Sequence, residues 1–218
     1  MKTDALDFIL CSLVLIAVIA LDLAVVMLVI RPLSTAWLAD YHVVGDLAAG
    51  ILLYGLISAG VLRAILALRP VEPGTYEMDS PAFRQWKLFT VVYRLGQSAL
   101  TPFAPVFARP LVARLFGARV GRDVAIGGTI DDPYLVTIGN GAVLGNNSLV
   151  AGSAIVNGRI TLGRVVVGPG ATVGVNAVVL PGAEIGEHAL IVGGSIVLAG
   201  TRVPASETWR GNPARKWQ

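Results

Sequence analysis

The chain has 218 residues, of which 55% are hydrophobic and only 14% charged, and its mean hydropathy is +0.71. Such a balance excludes an ordinary water-soluble domain over the whole length and assigns part of the chain to lipid. The single Cys11 excludes an intrachain disulfide, while a net charge of +3 suits an anionic partner: nucleic acid, anionic lipid or a phosphate-bearing cofactor.

Residues 8–30 form an apolar run of 23 residues interrupted only by Ser12 and Asp22. At about 1.5 Å per residue, that run exceeds the roughly 30 Å thickness of bilayer hydrocarbon and predicts a membrane span. The competing reading is a cleaved signal peptide ending near Ser34-Thr35-Ala36; against it stand the length of the run, Asp4 and Asp7 in front, and a second apolar run behind. That second span covers about residues 43–62, with Asp46 near its start and Arg63 just past its end. The connection, 31–42, carries little charge, whereas Arg63, Arg69, Arg84, Lys87 and Arg94 follow. Positive charge stays cytoplasmic, so the expectation is a multi-pass hairpin in the inner membrane with both termini and everything downstream on the cytoplasmic side. Gly55 and Ala59 form a small-xxx-small pair suited to close helix packing. Asp22, near mid-span, reads either as part of a proton or substrate pathway or, more simply, as a helix contact bonded to Tyr54 or Ser58. Arg31 and Asp46 read as an interfacial pair.

Residues 70–81 are rich in Pro, Gly and acids and read as a linker. Ser80 is a helix cap and Pro81 a first helical residue, and the helix they open reaches about Leu100. On a helical wheel Arg84, Lys87, Thr90, Arg94 and Gln97 share one face, while Trp86, Leu88, Phe89, Val92 and Tyr93 take much of the other. The simplest partner for a basic, aromatic helix beside membrane spans is the anionic lipid surface. Packing against the base of the next domain is the alternative; nucleic acid comes third because the charges are few. Thr101-Pro102, Pro105 and Pro110 then break the chain before residues 111–116.

From there a period of six takes over. Val167, Val173, Val179, Ile185, Ile191, Val197 and Val203 recur at the same phase, and Ala171, Ala177, Ala183, Ala189, Ser195 and Thr201 lie four residues after the first six. The phase opens earlier at Ile138-Gly139, Leu144-Gly145 and Val150-Ala151. Six fits neither a helix, at about 3.6, nor one alternating strand. It is an internal repeat that predicts a solenoid, in which three short sides close a triangular coil and coils stack about 4.8 Å apart through parallel hydrogen bonds. Small residues at the fifth position fit the corners, and Gly and Asn, as in 139–141 and 145–147, tolerate the positive φ that corners demand.

The hexapeptides, the approach Leu115-Phe116-Gly117-Ala118-Arg119-Val120-Gly121 and the exit Gly211-Asn212-Pro213-Ala214 resemble the hexapeptide-repeat acyltransferases from about residue 115 onward. More narrowly, Asp79-Ser80-Pro81-Ala82-Phe83-Arg84 and residues 131–139 resemble the membrane-linked C-terminal domains of polylysine-synthetase-like nonribosomal peptide synthetases. The resemblance implies a left-handed parallel β-helix, assembled as a homotrimer with active sites in the clefts between subunits. It also implies an acyl-CoA donor or, in the narrower group, a carrier-protein phosphopantetheine thioester. Gly211, Asn212, Pro213 and Ala214 then match the wall of the donor groove. Arg202, Arg210, Arg215 and Lys216 are candidates for phosphate contacts, their alternative reading being a solvated basic tail.

Acyl transfer needs a base that takes a proton from the attacking hydroxyl or amine. In the family this is a His on a loop interrupting the repeats. Here the interruption runs from Val150 to Val167, 17 residues and one short of three hexapeptides, and it contains no His. Ser153 stands where the His is expected, and Val156 and Asn157 where the narrower group has acids. A Ser hydroxyl without an adjacent base is a poor proton acceptor. The chain has only His42 and His188. His188, with Glu187 beside it, lies 35 residues from Ser153, close to two coils, so a shared column and a displaced base are one reading and an exposed corner residue the other. The scarcity of His also excludes a metal site of the carbonic-anhydrase-like branch of the fold. Asp131, Asp132, Asn146 and Asn147 are candidates to orient an acceptor, or ordinary corner residues.

The expected organisation is therefore a transmembrane hairpin (1–69), a linker with amphipathic interfacial helices (70–114), a left-handed β-helix (115–204) and a tail (205–218). Two functions fit it. One is a membrane-anchored acyltransferase moving an acyl or aminoacyl group to a hydroxyl or amine acceptor, with Ser153, His188, Asn157 and Asp132 as candidate catalytic residues. The other is a catalytically silent trimer serving as a scaffold or partner of a membrane enzyme.

Overall fold

The computed structural model describes residues 5–217. Asp4, one of the two acids expected before the first span, lies outside the described residues. The chain forms two compact units. One holds the N-terminal residues through Pro70 together with Arg84–Phe103, and the other Val71–Phe83 together with the chain from Ala104 onward. The residues expected to be a linker thus divide between the two.

In the first unit, helix α1 (Ala5–Val25) passes through a π-helical turn, Val26–Ile30, into α2 (Arg31–Leu38), a 3-10 turn at Ala39–Tyr41 and α3 (His42–Leu68). The expected open connection at 31–42 is absent, because Pro32 sits in the first turn of α2, where it is tolerated, and the chain stays helical to Leu38. By length and composition Ala5–Leu68 counts as one apolar helical tract able to cross a membrane. Its direction changes at Ala39 (φ 46°, ψ −118°), and α1 packs against α3. Val18, Asp22 and Val26, four residues apart, line the buried stripe of α1 and the turn after it, and Gly55, Ser58, Ala59 and Leu62 that of α3. Outward, Phe8, Leu13, Ile16, Ile19, Leu23 and Leu28 are all exposed.

The polar contacts of the tract differ from those expected. Ser58 Oγ donates to the Tyr54 carbonyl of its own helix, at 2.7 Å, leaving the expected bond to Asp22 unmade. Asp46 accepts from Ser34 Oγ at 2.5 Å, while Arg31 turns to Met27 Sδ at 3.2 Å. Gly55 does leave room for a neighbour, but the atoms its Cβ would strike belong to Leu100 of the next helix.

That helix, α4 (Pro81–Leu100), starts and ends where the sequence predicts, and Ser80 Oγ accepts from Phe83 N–H at 3.2 Å. Its basic face is partly engaged within the unit. Arg84 Nε donates to Asp7 Oδ1 at 2.8 Å and Lys87 Nζ to Asp7 Oδ2, so two of its three cations are held by the start of α1. A wheel shows which residues share a face but not what that face meets.

The second unit opens with strand Gly74–Glu77 and, after α5 (Arg109–Leu115), becomes a parallel β-solenoid of about five coils. The first face stacks Val120, Ile138, Val167, Ile185 and Val203; the second Ile126, Leu144, Val173, Ile191 and Trp209; the third Ile130, Val150, Val179 and Val197. Val167 pairs with Ile185 and Ile185 with Val203, eighteen positions apart, as three sides of six require. Ala171, Ala177, Ala183 and Ala189 are fully buried in the core at the corners. Gly141 (φ 65°) and Asn147 (φ 54°) take the left-handed conformation. The glycine after each leading aliphatic has a different role: a Cβ at Gly186 would fall 2.5 Å from the Ala205 nitrogen of the next coil. Its side-chain hydrogen lets the coils approach.

Candidate functional site

Two irregularities interrupt the stack: a small one at the 3-10 turn Pro133–Leu135, where Ile130 pairs with Val150 twenty positions on, and a large one after it. Ile138 pairs with Val167, Leu144 with Val173 and Val150 with Val179, twenty-nine positions apart rather than eighteen. The stretch from Val150 to Val167 is therefore not three shortened sides. It is one side plus an excursion that leaves at Gly152 and returns at Gly163, whose N–H donates to the Gly152 carbonyl at 2.9 Å.

The excursion is an antiparallel hairpin, Ser153–Val156 against Arg159–Leu162, closed by Asn157 (φ 49°) and Gly158 (φ 74°). Two successive positive φ values define the tight hairpin turn that Asn-Gly favours. Strand Gly74–Glu77 adds to its other edge, with Glu77 opposite Arg159 and an exposed ion pair of 2.7 Å between them. Ile160 and Leu162 are buried, whereas Ile155 and Val156 are exposed. The sequence reading missed this third strand. Its only signal is the β-prone pair Thr75-Tyr76 within a Pro/Gly-rich stretch.

At the foot of the hairpin stands Asp132. It is buried, with φ 54°, and its Oδ1 accepts from the Tyr134 hydroxyl at 2.9 Å. Asp131 pairs with Ala151, and a Cβ on Gly152 would lie 3.0 Å from that of Asp132, so Asp132 adjoins the residue before Ser153. Ser153 and Asp132 are thus brought to one corner, together with Tyr134, which lies within residues 131–139 and had no role in the sequence reading. Asn157 is at the far end of the hairpin, four residues or about 13 Å along the strand. An Asp carboxylate is a weak base at neutral pH, while the Tyr134 hydroxyl that donates to it anchors its orientation.

His188 lies elsewhere. It occupies a corner between the first and second faces, with φ 54°, and its N–H donates to the Pro169 carbonyl. Ser153 leaves the corner between the third and first faces. The two share no column, because residues 152–162 advance the chain around no side of the coil. The imidazole is largely exposed, lies over Gly170, and has Nε2 3.5 Å from Glu187 Oε1. This is a His beside a carboxylate, an arrangement suited to proton transfer, but away from the hairpin.

The C-terminal residues are folded rather than a solvated tail. Strands Thr208–Gly211 and Ala214–Lys216 pair antiparallel, Gly211 (φ 97°) and the exposed Asn212 and Pro213 make the turn, and Ala214 is buried in the core. The Gly211 N–H donates to Ser195 Oγ at 3.1 Å, which fastens the hairpin to the last complete coil. Glu207 accepts from Lys216 Nζ at 2.6 Å and from Trp209 Nε1 at 2.9 Å, and these donors, Lys216 foremost, hold its carboxyl below the usual range. Arg210 lies over the Trp217 ring at 4.4 Å. Arg202 pairs with Glu184 on the rung below at 3.3 Å, and Arg215 donates to the Ala214 carbonyl at 3.3 Å. Among the described residues no group of three His, Cys, Asp or Glu side chains is placed to hold a metal ion.

No protein-family model matches the chain, and no curated protein matches it in sequence. Solved structures do. A galactoside acetyltransferase in complex with coenzyme A matches with a TM-score of 0.52 at 15% identity, over 70% of this chain and 90% of that one. A hexapeptide-repeat-containing acetyltransferase from Vibrio cholerae matches with a TM-score of 0.50 at 13% identity, over 62% of this chain and 92% of that one. The solenoid shares its fold with hexapeptide-repeat acetyltransferases. A hexapeptide transferase family protein from Anaplasma phagocytophilum is 20% identical over 46% of this chain, with a TM-score of 0.34, and the chain spans 54% of its length.

Proposed function

We propose that the protein is an acyltransferase that moves an acyl or aminoacyl group from a thioester donor to a hydroxyl or amine. The observation that carries this reading is the hairpin: the largest break in a hexapeptide solenoid falls at a corner that gathers Ser153, Asp132 and Tyr134. The likeness to a galactoside acetyltransferase that binds coenzyme A supports a coenzyme A thioester as donor, a carrier-protein thioester being the narrower alternative. On this reading the coils are left-handed, three copies assemble, and the Gly211 to Ala214 turn with Arg202 and Arg215 borders the donor groove.

In the proposed mechanism the acceptor oxygen or nitrogen, positioned at the corner, adds to the thioester carbonyl and gives its proton to solvent. Backbone N–H groups stabilise the tetrahedral oxyanion, and its collapse expels the donor thiolate, so that orientation carries more of the rate than a strong base. Asp132, buried and bonded to Tyr134, positions the corner, and Ser153 offers the acceptor a hydroxyl. The apolar tract anchors the enzyme. Its outward residues from Phe8 to Leu28 suit lipid, and the fold-back at Ala39 suits two passes through the inner membrane with the solenoid in the cytoplasm.

A second reading, a silent scaffold, is favoured by one observation: the hairpin carries no His, and His188 stands at a different corner. Donor binding separates the two. The full chain in detergent should bind acetyl-CoA saturably, and Ser153→Ala or Asp132→Asn should slow its consumption with a suitable acceptor. Folded chain that binds no thioester at millimolar donor overturns the enzyme reading.

A further inference from the structure

Asp22 is the one site-like feature of the tract that acyl transfer leaves unused. It lies in the middle of α1, nine-tenths buried, in a stripe otherwise made of Val18 and Val26. Its Oδ1 is buried and has no hydrogen-bond partner among the described residues. Its Oδ2 abuts α3 at Gly50, 3.8 Å from where a Cβ would stand, and Val26 closes the same spot at 3.6 Å. The π-helical turn Val26–Ile30 follows directly, a local widening of the kind frequent at functional sites.

The charges that could neutralise it are committed elsewhere or distant. Tyr54 on α3 is the titratable group that faces it, and its neighbour Ser58 donates to its carbonyl. Arg31 turns to Met27, and Asp46 is taken by Ser34. On α4, Arg84 and Lys87 bind Asp7, and Arg94 is exposed. Arg63 is thirteen residues beyond Gly50 on α3, about 20 Å along the helix. A carboxylate whose buried oxygen meets no donor among the described residues is costly in such a seam, whereas a carboxylic acid is tolerated there.

We propose that Asp22 is a proton-binding site within the apolar tract, carrying an exchangeable proton at neutral pH in the seam between α1 and α3. With the proton bound the seam closes, and when it leaves, the charge drives α1 and α3 apart at Gly50. Such a site offers both a donor and an acceptor to any polar group that enters beside Gly50.

A hydrophobic carbodiimide reads this state directly. The carboxyl proton goes to a carbodiimide nitrogen, the carboxyl oxygen adds to the central carbon, and rearrangement leaves an N-acylurea that retains the whole reagent, with no leaving group. The inference rests on the tract lying in lipid, so the full chain is reconstituted into phosphatidylethanolamine and phosphatidylglycerol vesicles and first floated with them. Dicyclohexylcarbodiimide is then added across a pH series and the peptides are weighed. Asp22 should gain one reagent mass near neutral pH, and labelling should fall about tenfold per pH unit beyond its midpoint. Asp7 and Asp46 should stay unlabelled; Asp22→Asn should abolish the adduct and Asp22→Glu restore it, with flotation unchanged. A protonated-carboxyl infrared band that Asp22→Asn removes gives a reagent-independent reading. Failure to float sinks the lipid reading, and the same carbodiimide series on the chain in micelles then decides the proton site by the same criteria. Vesicle-bound chain in which Asp22 is unlabelled, or labelled equally at all pH, and which lacks that band overturns the proton site.

Discussion

Between Val167 and Ile185 the chain spends eighteen residues on one coil; between Ile138 and Val167 it spends twenty-nine on one coil. The regular coil holds itself, because each side puts one aliphatic residue on the axis, a buried Ala at the corner and its backbone into two neighbouring rungs. The hairpin has no such axis. It gains order from a tight turn, from two inward side chains, Ile160 and Leu162, and from a strand borrowed from residues 74–77. Periodic sequence therefore fixes shape, and the break in periodicity is where polar groups gather.

Substitutions on the two sides should differ accordingly. Ile191→Ala, at a fully buried axis position, should cost about 2–5 kcal/mol, whereas Val156→Ala, on the exposed strand of the hairpin, should stay within about 0.5 kcal/mol. Denaturant unfolding of the full chain in micelles, followed by Trp209 fluorescence, measures both, and equal losses would dissolve the distinction. Next in size is Gly158→Val. Nothing lies within 4 Å of the added Cβ, so the left-handed φ of 74° alone sets a penalty of about 1–2 kcal/mol. Faster amide exchange across 153–162 with unchanged protection at 178–191 would localise that cost to the hairpin. Arg159→Ala should cost less than the glycine change, under about 1 kcal/mol, because both members of its pair with Glu77 are solvent-exposed. A larger loss would show that the borrowed strand depends on charge rather than on its ladder.

Much of this contrast was legible in the sequence. The six-residue phase of Val167, Val173 and Val179 gave the coil, and Ser80-Pro81 gave the start of α4 to the residue. The excursion was mis-sized because 17 residues fall one short of three hexapeptides, and Asn157-Gly158 was not read as the hairpin turn it forms. With the wrong size came the wrong column for His188. The strand at 74–77 was illegible for a different reason: four residues specify no partner, and theirs lies more than eighty positions away. Likewise no periodicity could show that Arg84 and Lys87 meet Asp7, since a facing charge is a tertiary fact. Of the candidate site, Ser153 and Asp132 were named from sequence, but their meeting depended on the hairpin.

The C-terminal hairpin supplies the smallest test and carries the contrast to the end of the stack. There the last rung is closed by Trp209 and Ala214 inside and by Glu207 outside, where its carboxylate receives Lys216 and Trp209. These donors favour the charged form, so the folded-state pKa lies below the unfolded value. The unfolded chain then binds the proton more readily. The stabilisation is complete above the ordinary Glu pKa and is lost as pH falls through the lowered folded value. Melting temperature should therefore decline on acidification below about pH 4.5, the decline being shallower in Glu207→Gln, which has no proton to gain. Because the group is solvent-exposed, the difference should be small and should shrink further in high salt. Parallel pH curves for the two proteins would mean that the hairpin is held by Ala214 and the Gly211 bond to Ser195 alone.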